Sequence, residues 1–340
     1  MRVAHYNSAV TVTASAPTRV DLAGGTIDIW PLYLFHPGAQ TLNAALTIRT
    51  SVRLEPRSDE AVVLVSEDLG ITTPPLAFDA LPREATLPLL ARLTHAFGAR
   101  GVTVTTRSDS PAGAGIAGSS ALNIAVTAAL STWTGRDLDH EGILETAKNV
   151  EAQVIGVPTG LQDYRPALYG GVAAVELGPF GVTRVGLPVE AAALGARLAL
   201  CYTGAPRQSG INNWEITKRR IDGDAAVTAA FDAIVAATAR MRAALVAGDW
   251  DAAGACLADE WTTRKRLAPG VTTPTIDALL AEARDAGAWG GKVCGAGGGG
   301  CLFALAPPDR VEAIRAAWRS AGAHVLDAGI DTEGLQVTTR

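Results

Sequence analysis

The sequence predicts an α+β fold divided into two domains, and three observations carry that expectation. The chain has 340 residues, more than one core of ordinary size holds, and 48% of them are apolar, enough for a large interior. Its first part strings together short β-branched stretches that alternate in polarity, broken by helical patterns. From about Ser209 the character shifts to long helical patterns, with strand-like runs returning near the end.

Taken in order, Val10–Ala16, the run Leu46–Leu54, Ala61–Ser66 and Gly101–Arg107 read as strands. After the turn-rich 108–115 the period changes, and Ser119–Trp133 reads as a helix of small, close-packing residues. A second helix is expected over Asp139–Ile155, stopped by Gly156-Val-Pro158. Gly170–Leu177 and Ala196–Tyr202 read as strands again, and helices follow near 209–247, 250–267 and 274–287. A short strand, a glycine-rich turn at 295–300, another strand, a helix over 308–321 and a strand over 323–328 complete the pattern. The domain boundary is expected near 185–196, which divides the chain into 1–190 and 191–340.

Composition excludes several classes. A net charge of −5 argues against a nucleic-acid partner, so an anionic ligand has to be held by a few placed groups and backbone amides. The four cysteines form no CxxC pair and the five histidines are scattered, which disfavours a zinc site and suits reduced thiols. No signal-peptide pattern and no long apolar run is visible, so a cytoplasmic protein without a membrane span is expected.

Three segments carry chemistry. Pro111–Leu122, PAGAGIAGSSAL, lies between an expected strand and an expected helix. Its spaced glycines let amides converge on an anion, and the helix N-terminus adds positive potential there. Ser119 and Ser120 are placed either to cap the helix or to face a phosphate or its metal. Gly113-x-Gly115-x-x-Gly118 also fits the dinucleotide fingerprint, but Asp137 and Asp139 sit in a polar run rather than at the end of a second apolar strand. It is no Walker A loop, because no Gly-Lys-Ser/Thr follows. The second segment, Lys292–Cys301, holds five glycines in six positions, a pattern suited to close approach to a ligand or to a neighbouring loop. Lys292 by itself is unremarkable. In the third, Ala16–Asp28, the charged Arg19, Asp21 and Asp28 are interleaved with apolar residues around Gly24 and Gly25. Charges in such a setting need a ligand or partners, an Arg19–Asp21 pair among them.

In this order the segments resemble the GHMP kinases, the family of galactokinase, homoserine kinase and mevalonate kinase. Pro17–Asp28 is similar to the opening motif, Pro111–Leu122 to the phosphate loop with Ile116 in the usual Leu place, and Gly295–Gly300 to the closing loop. The resemblance implies an N-terminal domain like the second domain of ribosomal protein S5, a ferredoxin-like C-terminal domain, and ATP and substrate in the cleft between them. It implies that Pro111, Gly113, Ala114, Gly115, Ile116, Ala117, Gly118, Ser119 and Ser120 hold ATP, and that Ser120 and Glu151 hold Mg²⁺. Asp163, in a turn one residue longer than the mevalonate kinase form, takes the catalytic Asp position. It would accept the substrate's hydroxyl proton or orient that hydroxyl, with Arg19 beside it.

Within the family, the opening and phosphate-loop variants and the run Tyr202–Gly210 look most like the heptose-phosphate and fucose kinase branch. That implies a small-molecule sugar or sugar phosphate phosphorylated at its anomeric hydroxyl. Gly24, Gly25, Asp28, Thr203, Arg207, Ser209, Gly297 and Gly298 would line the pocket. Trp30-Pro31 and Tyr164-Arg165 depart from that branch. A mevalonate-type kinase and a catalytically silent sugar and ATP sensor are the alternatives. A monomer or homodimer is expected.

Overall fold

A computed structural model describes residues 10–206 and 213–340. The first part of the chain runs β1 (Val12–Ala23), β2 (Gln40–Pro56), β3 (Val62–Ser66), β4 (Ile71–Thr72), α1 (Pro88–Phe97), β5 (Val102–Ser108), α2 (Gly118–Trp133) and α3 (His140–Ile155). It continues through α4 (Tyr164–Tyr169), β6 (Val172–Gly178) and β7 (Gly181–Gly186). The second part holds α5 (Ala191–Gly195), β8 (Leu198–Tyr202), α6 (Asn213–Ile221), α7 (Ala225–Ala247) and α8 (Trp250–Arg264). It ends with α9 (Pro274–Asp285), β9 (Gly290–Val293), β10 (Cys301–Leu305), α10 (Val311–Ser320), β11 (His324–Leu326) and β12 (Gln336–Thr339).

The first sheet has eight strands, ordered β12-β1-β2-β5-β3-β4, with β6 and then β7 attached to β2. At 17 residues, β2 is long enough to serve two neighbours on one edge: Gln40–Ala44 pairs with β6 and Thr50–Pro56 with β5. The alternation in β1 places Val12, Ala14 and Ala16 in a core that α1, α2 and α3 complete with Leu93, Ile124 and Leu144. The second sheet is antiparallel, ordered β11-β8-β10-β9. In chain order that is fourth, first, third, second, the ferredoxin-like arrangement, and its inner strand β10 is buried along its whole length.

Several elements differ from the sequence reading. The pattern expected as one helix over 209–247 is, among the described residues, two helices: Gly223 turns left-handed at φ 83° and Asp224 caps α7 by accepting from the Ala226 and Val227 amides. The GVTRVG stretch, which leads into the expected boundary and carries no expected strand, forms β7 and pairs with β6. The C-terminal residues return to the first sheet, where β12 pairs with β1 and Asp331 exchanges backbone hydrogen bonds with Ala45 and Gly171. The division at 190/191 stays a proposal, with 336–339 belonging to the first sheet. No helix among the described residues is long and apolar enough to cross a membrane, and all four cysteines are free and buried.

Candidate active site

The glycine-rich loop 111–117 joins β5 to α2. Gly113 and Gly115 are left-handed at φ 68° and 76°, and so is Ala117 at φ 60°, a conformation costing a residue with a Cβ about 1–2 kcal/mol. Such strain collects where the chain serves a ligand. No side chain caps α2, so neither Ser119 nor Ser120 takes the capping role open to it in the sequence. The first-turn amides are left for another acceptor, at the end of the helix where its dipole favours an anion.

Two neighbours shape the loop. Strand β1 ties it from one side, where the Arg19 amide donates to the Ile116 carbonyl at 3.0 Å. The closing loop packs on it from the other side. The Cys301 amide donates to the Ala114 carbonyl at 2.6 Å, and a Cβ at Gly300 would lie 2.6 Å from the same oxygen. A Cβ at Gly115 would lie 2.7 Å from the Cys294 carbonyl, and one at Gly297 2.3 Å from that of Val271. Of the two uses open to the 295–300 glycines, close approach to a neighbouring loop is therefore realised.

Asp163 precedes α4 and is 28% exposed at its side chain, enough for a substrate to reach. Arg19 grips it through Nε at 3.0 Å and Nη2 at 2.6 Å, both on Oδ1, which leaves Oδ2 for a ligand. The third guanidinium nitrogen, Nη1, donates to the Gly115 carbonyl at 2.9 Å, so one side chain ties the Asp163 turn to the glycine loop. Burial works against the Arg19 charge, but Asp163 and then Asp21 outweigh it and hold the guanidinium protonated.

Ser120 and Glu151 stand on the two arms of the α2–α3 hairpin. The helices are antiparallel, with Asn123 Nδ2 donating to the Ala147 carbonyl at 2.9 Å and the Leu138 amide to Ser131 Oγ at 2.9 Å. One turn further along both helices brings Ser120 level with Glu151. The Tyr164 hydroxyl, next to Asp163, donates to Glu151 Oε2. Burial first, and then Glu151, push the Tyr164 phenol well above its ordinary value, so it stays a donor. Two links are thus in place on the Asp163 turn: Tyr164 to Glu151, and Asp163 through Arg19 to Gly115.

Asp28 is buried and accepts from the Leu161 and Gln162 amides at 2.6 and 2.9 Å through Oδ2, bracing the turn that carries Asp163. Burial and, second, the Asp163 charge push its carboxyl up to about 6. Gly24 and Gly25 face protein where a Cβ would be, against the Gln40 carbonyl and against Asp21 and Arg264. Thr203 donates its amide to the Gly300 carbonyl at 3.0 Å, beside the closing loop. Arg207 and Ser209 lie outside the described residues.

The sequence reading missed a set of buried charges: Lys292, Glu260 and Arg264. Lys292 Nζ lies 3.0 Å from Asp21 Oδ2 and 3.1 Å from Glu260 Oε1, and Arg264 Nη1 lies 3.2 Å from the same Glu260 oxygen. Arg264 also donates to the Gly25 and Gly295 carbonyls and to Thr26 Oγ1, each at 3.0 Å. The Arg19–Asp21 pair is the weaker partnership at 3.9 Å, because each residue is engaged elsewhere. The available signal was a lysine inside an apolar strand, whose burial obliges a partner.

The arrangement offers an anion cradle, a carboxylate facing it with one open oxygen, and a hydroxyl and second carboxylate at the helix hairpin. The family model for the GHMP kinases N terminal domain matches residues 84–171, and that for GHMP kinases C terminal matches 241–324. A D-glycero-alpha-D-manno-heptose 7-phosphate kinase from Campylobacter jejuni is 27% identical, over 96% of this chain and 98% of that protein. A mevalonate kinase from Thermococcus sibiricus is also 27% identical over the same shares. The structure of a D-glycero-D-manno-heptose 1-phosphate kinase from Bacteriodes thetaiotaomicron superposes with a TM-score of 0.75 at 22% identity, covering 96% of this chain and 98% of that one. With both domain models matched in order, and together spanning just over half of its residues, the chain belongs to the GHMP kinases.

Proposed function

We propose that this chain is a sugar kinase that transfers the γ-phosphoryl group of ATP to the anomeric hydroxyl of a sugar or sugar phosphate, with heptose 7-phosphate as the first substrate to test. The observation that carries the reading is the bridge joining Asp163, through Arg19, to the glycine loop. The amides of 113–120 would hold the ATP phosphates, and Asp163 Oδ2 would receive the proton of the attacking hydroxyl. As that oxygen bonds to the γ-phosphorus, the bond from phosphorus to the β–γ bridging oxygen breaks and ADP leaves. Arg19 would fix the carboxylate and lend positive charge beside the forming alkoxide.

Among the described residues no three His, Cys, Asp or Glu side chains are grouped to hold a metal. Ser120 and the single carboxylate of Glu151 suit Mg²⁺, which takes few protein ligands and completes its shell with phosphate oxygens and water. When bound, Mg²⁺ would neutralise charge on the phosphates. Tyr164 would orient Glu151 toward that task.

A mevalonate-type acceptor is the second reading, because the Thermococcus sibiricus enzyme is as similar in identity as the heptose kinase. The test is ADP release over a panel containing heptose 7-phosphate, heptose, fucose, galactose and mevalonate, with ³¹P NMR of the product. An anomeric phosphate supports the proposal. Turnover on mevalonate alone replaces it, and ATP binding without turnover on any acceptor leaves a sensor.

A further inference from the structure

Asp21 and Glu260 are fully buried, as is Lys292, and Arg264 is 2% exposed. None of these four side chains is among the groups proposed to hold ATP or the acceptor. A buried ion network is a poor stabiliser, since apolar side chains of like volume often do as well. Its connections suggest another use. From α8 toward the site, Glu260, Lys292, Asp21, Arg19 and Asp163 alternate in sign along one chain of contacts.

Asp21 is the branch point. Its Oδ2 meets Lys292, its Oδ1 accepts from the Gly295 amide at 3.0 Å, and the same Oδ1 lies 3.9 Å from Arg19 Nη1. Arg19 spends Nη1 on Gly115, and Nε and Nη2 on Asp163. Its guanidinium is a rigid plane, so Nη1 cannot swing to Asp21 without taking the other two donors off Asp163. The balance between the two carboxylates therefore depends on the cation that satisfies Asp21.

We propose that Lys292 is a positioning residue for phosphoryl transfer: by neutralising Asp21 it keeps Arg19 locked on Asp163 and on the glycine loop. This rests on the function proposed above. The closing loop is part of the same device, because the Asp21 oxygen nearest Arg19 also holds Gly295.

The test compares wild-type protein, Lys292→Met and Lys292→Met/Asp21→Asn. The double variant removes the competing charge, while the asparagine side chain keeps an oxygen for the Gly295 amide. One readout is the ¹⁵N–¹H signal of Arg19 Nε, assigned by its loss in Arg19→Lys. The other is turnover with ATP and the best acceptor of the panel. In Lys292→Met the Arg19 signal should move and exchange faster, and kcat should fall at least ~10-fold with little change in the KM for ATP. The double variant should recover both. A purely structural lysine would lower the melting temperature and leave the signal and the kcat of folded protein untouched, which overturns the proposal. So does a double variant that folds without recovery, and that arm decides alone if Lys292→Met does not fold. If wild-type protein turns over no acceptor, the kinase reading fails, while the Arg19 signal still tests the geometry.

Discussion

Replacing Gly300 by alanine measures how much the closing loop matters to the proposed nucleotide cradle. Gly300 sits at φ +81°, and a Cβ there would meet the Ala114 carbonyl oxygen at 2.6 Å, the Ala114 carbon at 2.9 Å and the Gly113 oxygen at 2.9 Å. The left-handed backbone costs alanine about 1–2 kcal/mol. Relieving contacts this short against backbone adds about 1–3 kcal/mol, because the loop itself has to shift. Gly248 is the control: it has φ +71° at the C-terminus of α7 and nothing within 4 Å of its would-be Cβ. Urea unfolding should show Gly300→Ala destabilised by about 2–5 kcal/mol and Gly248→Ala by about 1–2 kcal/mol. The extra loss comes from pushing the 113–114 carbonyls, so calorimetric ATP affinity should drop about tenfold for Gly300→Ala only, equivalent to about 1.4 kcal/mol. Equal stabilities for the two variants, or unchanged ATP affinity in Gly300→Ala, would refute the reasoning.

Asp28 ionises near 6 when folded and near 3.8 otherwise, so its contribution to stability falls as pH rises from about 4 through 6. Asp28→Asn should gain up to roughly 3 kcal/mol relative to wild type at pH 7 and nothing at pH 3.5, read from urea midpoints across that range. Ser120→Ala should leave unfolding within about 0.5 kcal/mol of wild type, since the hydroxyl does not cap α2, while the Mg²⁺ concentration for half-maximal turnover rises. An unchanged Mg²⁺ dependence removes Ser120 from the metal site. Tyr164→Phe takes away the donor to Glu151 and should cost about 1–3 kcal/mol in unfolding, with Mg²⁺ dependence shifted the same way as in Ser120→Ala.

The sequence made the local features legible. A change of period at Ser119 marked α2, Gly156 and Pro158 marked the end of α3, and glycine spacing marked both loops, because each signal lies within a few residues of its effect. Long-range pairings were not legible. Lys292, Glu260 and Asp21 lie hundreds of positions apart in part, and their partnership exists only once α8 and β9 pack on β1. The expected Arg19–Asp21 pair forms only at 3.9 Å for a related reason: residues two apart on a strand share a face but reach different, closer neighbours. The polar strand β12 gave no alternation of burial to read, being exposed at every position. The helix α1 went unread despite its apolar spacing, and only packing against α2 and α3 makes its stripe plain.

The proposed function turns on the Asp163 carboxylate. Single-turnover transfer of the γ-phosphoryl from ATP to the best acceptor, measured for wild type and Asp163→Asn alongside ATP affinity, should show transfer slowed ~10²–10⁴-fold and ATP affinity nearly unchanged. Transfer at the wild-type rate in Asp163→Asn would contradict the assignment of that side chain as the proton acceptor.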